Sequence, residues 1–174
     1  RYPLIRVWEG PNEPSFGAYT DSREIANMQW YAAFEAERVR QLAARGLRAV
    51  IANFSTGNPF TPDVRYSNAN SPEWAFWLAF LPALQVAAQY NGILGLHEYS
   101  APWMWWLTGA YQPNADNLGE HGWLTLRYRA IYQQFLVARG LGGLPLVLTE
   151  VGLDNVGSSL LKPGMPSGPW KQIS

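Results

Sequence analysis

Val7-Trp8-Glu9-Gly10-Pro11-Asn12-Glu13-Pro14 is an apolar run that stops in a polar, turn-forming cluster carrying a carboxylate. Far downstream, Leu146-Val147-Leu148-Thr149-Glu150-Val151-Gly152 is built the same way. Short apolar runs with little alternation suit parallel strands covered on both faces. Each would deliver a glutamate at its C-terminal end, the end at which parallel α/β folds open their pockets. Two carboxylates facing one pocket are the equipment for acid/base or nucleophilic work, provided their environments hold them in different protonation states.

Working outward, Leu4 to Trp8 reads as the first strand, with Trp8 in the core. Asp21 and Glu24 form a cap and capping-box pair for a helix in which Ile25, Met28, Ala32, Ala36, Val39 and Ala43 recur at helical spacing and which Gly46 ends. Leu47 to Phe54 is a second strand, followed by a long polar loop to Ser71. Ser71-Pro72 opens a second helix, which Pro82 should kink or divide. Ile93 to Tyr99 is a third strand. Leu124, Tyr128, Ile131 and Phe135 mark a third helix ended by Gly140, ahead of a fourth strand from Pro145 to Thr149. The helix-to-strand joints repeat, since Ala43-Ala44-Arg45-Gly46-Leu47 resembles Val137-Ala138-Arg139-Gly140-Leu141.

Alternating strands and helices imply a parallel sheet, either doubly wound or part of a (β/α)8 barrel. Loops after the strands are long and polar, those after the helices short and plain, and no Gly-rich phosphate loop follows a strand. That asymmetry favours the barrel. A whole barrel needs about 250 residues. The expected fold is therefore α/β, a partial (β/α)8 TIM barrel in which residues 1–174 form an incomplete catalytic domain lacking its N-terminal strands and its last strand. An open sheet with an exposed apolar flank is expected with it.

Composition narrows the function. The chain is 48% hydrophobic and 15% charged, as in ordinary globular proteins. Thirteen basic and thirteen acidic residues cancel, with no basic run, so neither nucleic acid nor an anionic membrane is an expected partner. No apolar run reaches the roughly 18 residues of a membrane span. There is no cysteine, hence no thiolate nucleophile and no disulfide framework. Nine Trp and nine Tyr are the one anomaly. Trp74, Trp77 and Phe80 read as helix packing, whereas Trp103, Trp105 and Trp106 cluster in a loop, where flat apolar rings suit the faces of sugars.

Asn12-Glu13-Pro14 after one strand, His97-Glu98-Tyr99 on another, and Glu150 within Thr149-Glu150-Val151-Gly152 three strands later resemble the clan A glycoside hydrolases. In those (β/α)8 enzymes an Asn-Glu pair follows strand four and a nucleophilic Glu ends strand seven, so this chain would run from strand four to just past strand seven. The resemblance implies a retaining glycosidase for β-linked poly- or oligosaccharides, with no cofactor and no metal. Glu13 would be the general acid/base and Glu150 the nucleophile. Asn12 would bind the sugar 2-hydroxyl, Tyr99 would orient Glu150, and His97 would contact substrate or the acid/base. Trp103, Trp105 and Trp106 would supply a stacking platform. Glu98 should point away from the pocket, and Glu9 matches an acidic position read as structural. A secreted or cell-surface protein is expected, with any signal segment ahead of Arg1, and the 174 residues alone are expected to be inactive.

Three other readings stay open. His97 reads equally as a structural histidine. A non-catalytic carbohydrate-binding barrel that has lost activity would keep the aromatics. A metal-dependent enzyme would use Glu13, His97 and Glu150, although the chain has only two histidines and no metal-ligand spacing. Asn53, Ser55 and Asn58 read as loop residues.

Overall fold

The computed structural model describes residues 4–59, 61, 68–100 and 126–153. Four strands, β1 (Val7–Glu9), β2 (Arg48–Phe54), β3 (Ile93–Ser100) and β4 (Leu146–Leu153), form one sheet in the order β1-β2-β3-β4, parallel throughout. Sequential order with a helix between neighbours makes this an α/β unit, as the alternating pattern predicts.

Helix α1 (Ser22–Ala43) starts where Asp21 accepts a hydrogen bond from the Arg23 N–H at 2.9 Å. Its last turn gives way to Gly46 in the left-handed region at φ +69, a conformation open to glycine. Glu24 reaches past the helix start instead of back to Asp21, accepting from the Gly17 N–H at 3.0 Å. Helix α2 (Ala75–Gln89) follows a 3-10 turn, Pro72–Trp74, and runs through Pro82 as one element. The expected division does not occur. Pro82 is exposed, and the carbonyl it deprives of a partner belongs to Leu78, also on the solvent side, so the buried face stays intact.

That face carries Phe76, Trp77, Phe80, Ala83 and Leu84, all sealed from solvent. Phe54 of β2 sits among Tyr31, Trp77 and Phe80 at ring centroid distances of 6.1, 5.6 and 5.1 Å. Burying each such ring stabilises the fold by about 1.5–3 kcal/mol, and edge-on contacts add to this. One face of the sheet is thus fixed by aromatic packing against α1 and α2.

The third helical segment begins as α3 (Arg127–Ala130) and continues as a π-helical stretch (Ile131–Leu136) and a 3-10 turn (Val137–Arg139). Ile131 and Phe135 point into the core, and Gly140 ends the segment at φ +71, while Leu124 lies outside the described residues. Its start depends on β3: Glu98 turns away from the strand's other face and accepts from the Leu126 and Tyr128 N–H groups at 2.8 and 3.1 Å. Burial pushes the Glu98 carboxyl above its ordinary value of 4.5, against the backbone N–H groups and the nearby Arg127 and Arg129 charges that pull it down. A carboxyl raised by folding stabilises most below 4.5, and that contribution fades as pH rises through the folded value. Urea melts at about pH 4.5 and about pH 7 should show wild type losing ground to Glu98→Gln as pH rises. Stability of wild type relative to Glu98→Gln that stays constant or rises with pH contradicts it.

The first strand is shorter than expected. Leu4 and Ile5 precede it and are exposed, and Trp8, expected in the core, is 44% exposed. Among the described residues strand β1 is an edge, and Trp8 lies beside Ala49 with no described strand on its other side. On the opposite edge Val147 and Val151 of β4 are also exposed, so both edges of the described sheet present apolar side chains. No helix among the described residues is long and apolar enough to cross a membrane.

Candidate active site

The C-terminal ends of β1, β3 and β4 bring Glu13, His97, Tyr99 and Glu150 together. Parallel pairing puts partner residues on one face, and in β3 that face carries Gly95, His97 and Tyr99. Leu94 and Leu96 point the other way, into the helix-covered core.

Strand β4 would miss this face without an irregularity. Leu146 and Leu148 pair with Leu94 and Leu96, but the register then slips and His97 pairs with Glu150. Thr149 is the extra residue of a bulge. With side chains alternating at a period of two, that one residue transfers Glu150 from the core side to the side of His97. Strand β2 carries a matching bulge: Ala52 pairs with Gly95 and Phe54 with Leu96, leaving Asn53 over. Ala52 and Asn53 have φ of +76 and +45.

His97 is completely buried and is the hub. Its Nδ1 lies 2.8 Å from Glu13 Oε1 and 3.6 Å from Glu150 Oε2. Tyr99 donates its hydroxyl to the same Glu150 oxygen at 3.1 Å. Both carboxylates keep about 40% of their side-chain surface in solvent (40% and 41%), so a ligand can reach them while the imidazole between them is sealed. One oxygen from each carboxylate and a His97 ring nitrogen lie within 4.8 Å of one another, close enough to converge on a cation. His97 Nε2 has no hydrogen-bond partner among the described residues.

Supporting contacts explain the surrounding sequence. A Cβ on Gly152 would come within 2.9 Å of the Tyr99 ring, so the Gly of Thr-Glu-Val-Gly is the space that ring occupies. A Cβ on Gly95 would collide with the Asn53 carboxamide, which is buried and unpartnered among the described residues. Thr56 bridges the end of β3, its Oγ1 donating to the His97 carbonyl at 3.3 Å and accepting from the Tyr99 N–H at 2.8 Å. Beneath β2, the Tyr31 hydroxyl lies 2.8 Å from Glu35 Oε1 and 3.1 Å from the Ala52 carbonyl, and Arg38 pairs with Glu35. Burial raises the Tyr31 hydroxyl and Glu35 carboxyl above their ordinary values, the Arg38 charge opposing it at both.

Of the residues read from the sequence, Glu13, His97, Tyr99 and Glu150 meet at one place. Asn12 is exposed in the loop beside Glu13, and Glu9 is exposed on β1. Trp103, Trp105 and Trp106 lie outside the described residues. Thr56, Asn58 and Arg127 went unnoticed as partners, for their work is done on backbone atoms that no motif announces. No protein family, curated protein or solved structure matches the chain. What fold and site define is an α/β protein with two carboxylates gathered around a buried histidine at the C-terminal edge of a parallel sheet.

Proposed function

We propose that the chain forms strands four to seven of a (β/α)8 barrel of the clan A glycoside hydrolase type, completed by strands outside these 174 residues, and that the barrel hydrolyses β-linked poly- or oligosaccharides with retention. The observation that supports this most is the approach of Glu13 and Glu150, from the first and last strands, to one imidazole, with oxygens within 4.8 Å of each other. Retaining glycosidases hold their carboxyl groups about 5–5.5 Å apart, inverting ones about 6.5–9.5 Å.

Glu13, hydrogen-bonded to His97, protonates the glycosidic oxygen as that bond breaks. Glu150 attacks the anomeric carbon from the opposite face and forms a glycosyl ester. Glu13 then takes a proton from water, which displaces Glu150 and restores both groups. The Tyr99 O–H fixes one Glu150 oxygen and leaves the other to attack. In this reading Asn12 holds the sugar 2-hydroxyl, Trp103, Trp105 and Trp106 offer stacking surface, and the protein works outside the cell or on its surface.

The clustering of Glu13, His97 and Glu150 favours one second reading, metal-assisted hydrolysis. Proton NMR of products from a β-glycoside, run with and without chelator, separates them. The first-formed sugar should be the β anomer at an unchanged rate under chelation. An α product would rule out retention, and loss of activity under chelation would favour the metal. Binding without hydrolysis would leave a carbohydrate-binding barrel.

A further inference from the structure

The loop of residues 10–17 is fastened at more points than a surface loop needs. At its start Gly10 lies against Arg38 and Glu35 of α1, so closely that a Cβ would collide with both. In its middle the Glu13 N–H donates to the Asn53 carbonyl at 3.1 Å. Next comes a two-bond pair: the Phe16 N–H donates to Asn58 Oδ1 at 3.1 Å, and Asn58 Nδ2 donates to the Phe16 carbonyl at 2.7 Å. At its end the Phe16 ring is buried against Tyr31, Phe54 and Phe76.

Between these fasteners Glu13 has φ +50. A non-glycine residue there is strained and persists only where its surroundings impose it. The Asn53 carbonyl imposes it from one side and Asn58 from the other. A carboxamide is the side chain that copies a peptide group, one donor and one acceptor side by side, so it can close both bonds to one residue.

We propose that Asn58 is a positioning residue for Glu13: by pairing with both backbone groups of Phe16 it holds Glu13 in the left-handed conformation that sets its carboxylate against His97 Nδ1. Asn58 touches neither carboxylate and acts through three residues of backbone. Released from the pair, Glu13 relaxes toward ordinary φ and its carboxylate leaves His97. The consequence for catalysis rests on the glycosidase reading above; the consequence for His97 does not.

Two readouts test it, on a protein that includes the remaining strands. The ring nitrogen signals of His97 in 15N NMR should move in Asn58→Ala in the direction in which Glu13→Gln moves them. His97 signals that stay at wild-type positions would overturn the proposal whatever the activity. Phenyl and 2,4-dinitrophenyl β-glycosides give the second readout, because the phenyl leaving group needs a proton and the dinitrophenyl group does not. For Asn58→Ala, kcat/KM should fall about 10–100-fold on the phenyl substrate and less than about 3-fold on the other, as expected of a displaced general acid. Equal losses on both would mean general damage and would overturn it, as would wild-type values on both. Glu13→Ala is the reference: if it shows no such split, the glycosidase reading fails and the His97 signals alone decide. Should Asn58→Ala fail to fold, Asn58→Asp keeps the acceptor for the Phe16 N–H, loses the donor, and must show both effects.

Discussion

In the completed barrel of the proposed glycosidase, Glu150→Ala is expected to lower kcat on a β-aryl glycoside by about 10⁴–10⁶-fold, the scale on which losing a covalent nucleophile is felt. Folding should be little affected, because Glu150 is half exposed and its ties are the Tyr99 hydroxyl and the flank of His97. Azide then distinguishes a missing nucleophile from general damage. It can enter the space left by the carboxylate, attack the anomeric carbon and expel the aryl oxide, giving the α-glycosyl azide. On the proposed roles, Glu13→Ala should still form the glycosyl ester, and azide should displace Glu150 to give the β-glycosyl azide. A Glu150→Ala variant that keeps a tenth of the wild-type rate, or that yields the β-azide, removes Glu150 from the nucleophile's role.

The second large effect is on stability. Arg127 is 1% exposed, and its guanidinium gathers the loop after β2. Nη2 donates to the Ser55, Asn58 and Phe54 carbonyls at 2.7, 3.2 and 3.4 Å, and Nη1 to the Pro59 carbonyl at 3.4 Å. Burial pulls the guanidinium down to about 10, with the Glu98 charge working the other way. Arg127→Met fills similar volume but takes a donor from four carbonyls, of which Ser55 keeps the Asn58 N–H and Pro59 the Thr61 hydroxyl, and leaves Glu98 without that cation. The expected loss is about 3–5 kcal/mol, seen as a drop in Tm of about 6–20 °C. Arg127→Lys should recover little, because an ammonium cannot span the fork that a guanidinium presents. A Met variant within about 1 kcal/mol of wild type would show that these contacts carry little stability.

The strand and helix order was legible because hydrophobic period and punctuation agreed. Asp21, Gly46 and Gly140 mark real ends, and Leu94 and Leu96 face the core as an apolar strand requires. Glu13 and Glu150 were legible as carboxylates at strand ends, and His97 and Tyr99 as sharing one strand face, which the family resemblance turned toward the same pocket. The edges were less so. Trp8 looks like core by composition, but burial of a strand residue depends on neighbouring strands, which local sequence does not contain. Pro82 signals a break, yet an exposed proline costs a helix little when its opposite face is packed. The two bulges were invisible, since one extra residue in a strand leaves no compositional trace. Arg127 could not be read as buried, because its partners are carbonyls supplied by a loop about seventy positions away.

Those bulges also separate two kinds of selection within single strands. Below Asn53 and Thr149, residues such as Ile51, Leu146 and Leu148 answer only to packing and can exchange for other apolar groups of similar volume. Above them the inherited alternation no longer applies, and side chains answer to the pocket. An ancestral chain could therefore revise its chemistry at the rim without renegotiating the sheet, so long as the pairing of the rim residues was kept. With Thr149 paired as an ordinary ladder residue, Leu146 and Leu148 would stay in place and Glu150 would turn to the core side.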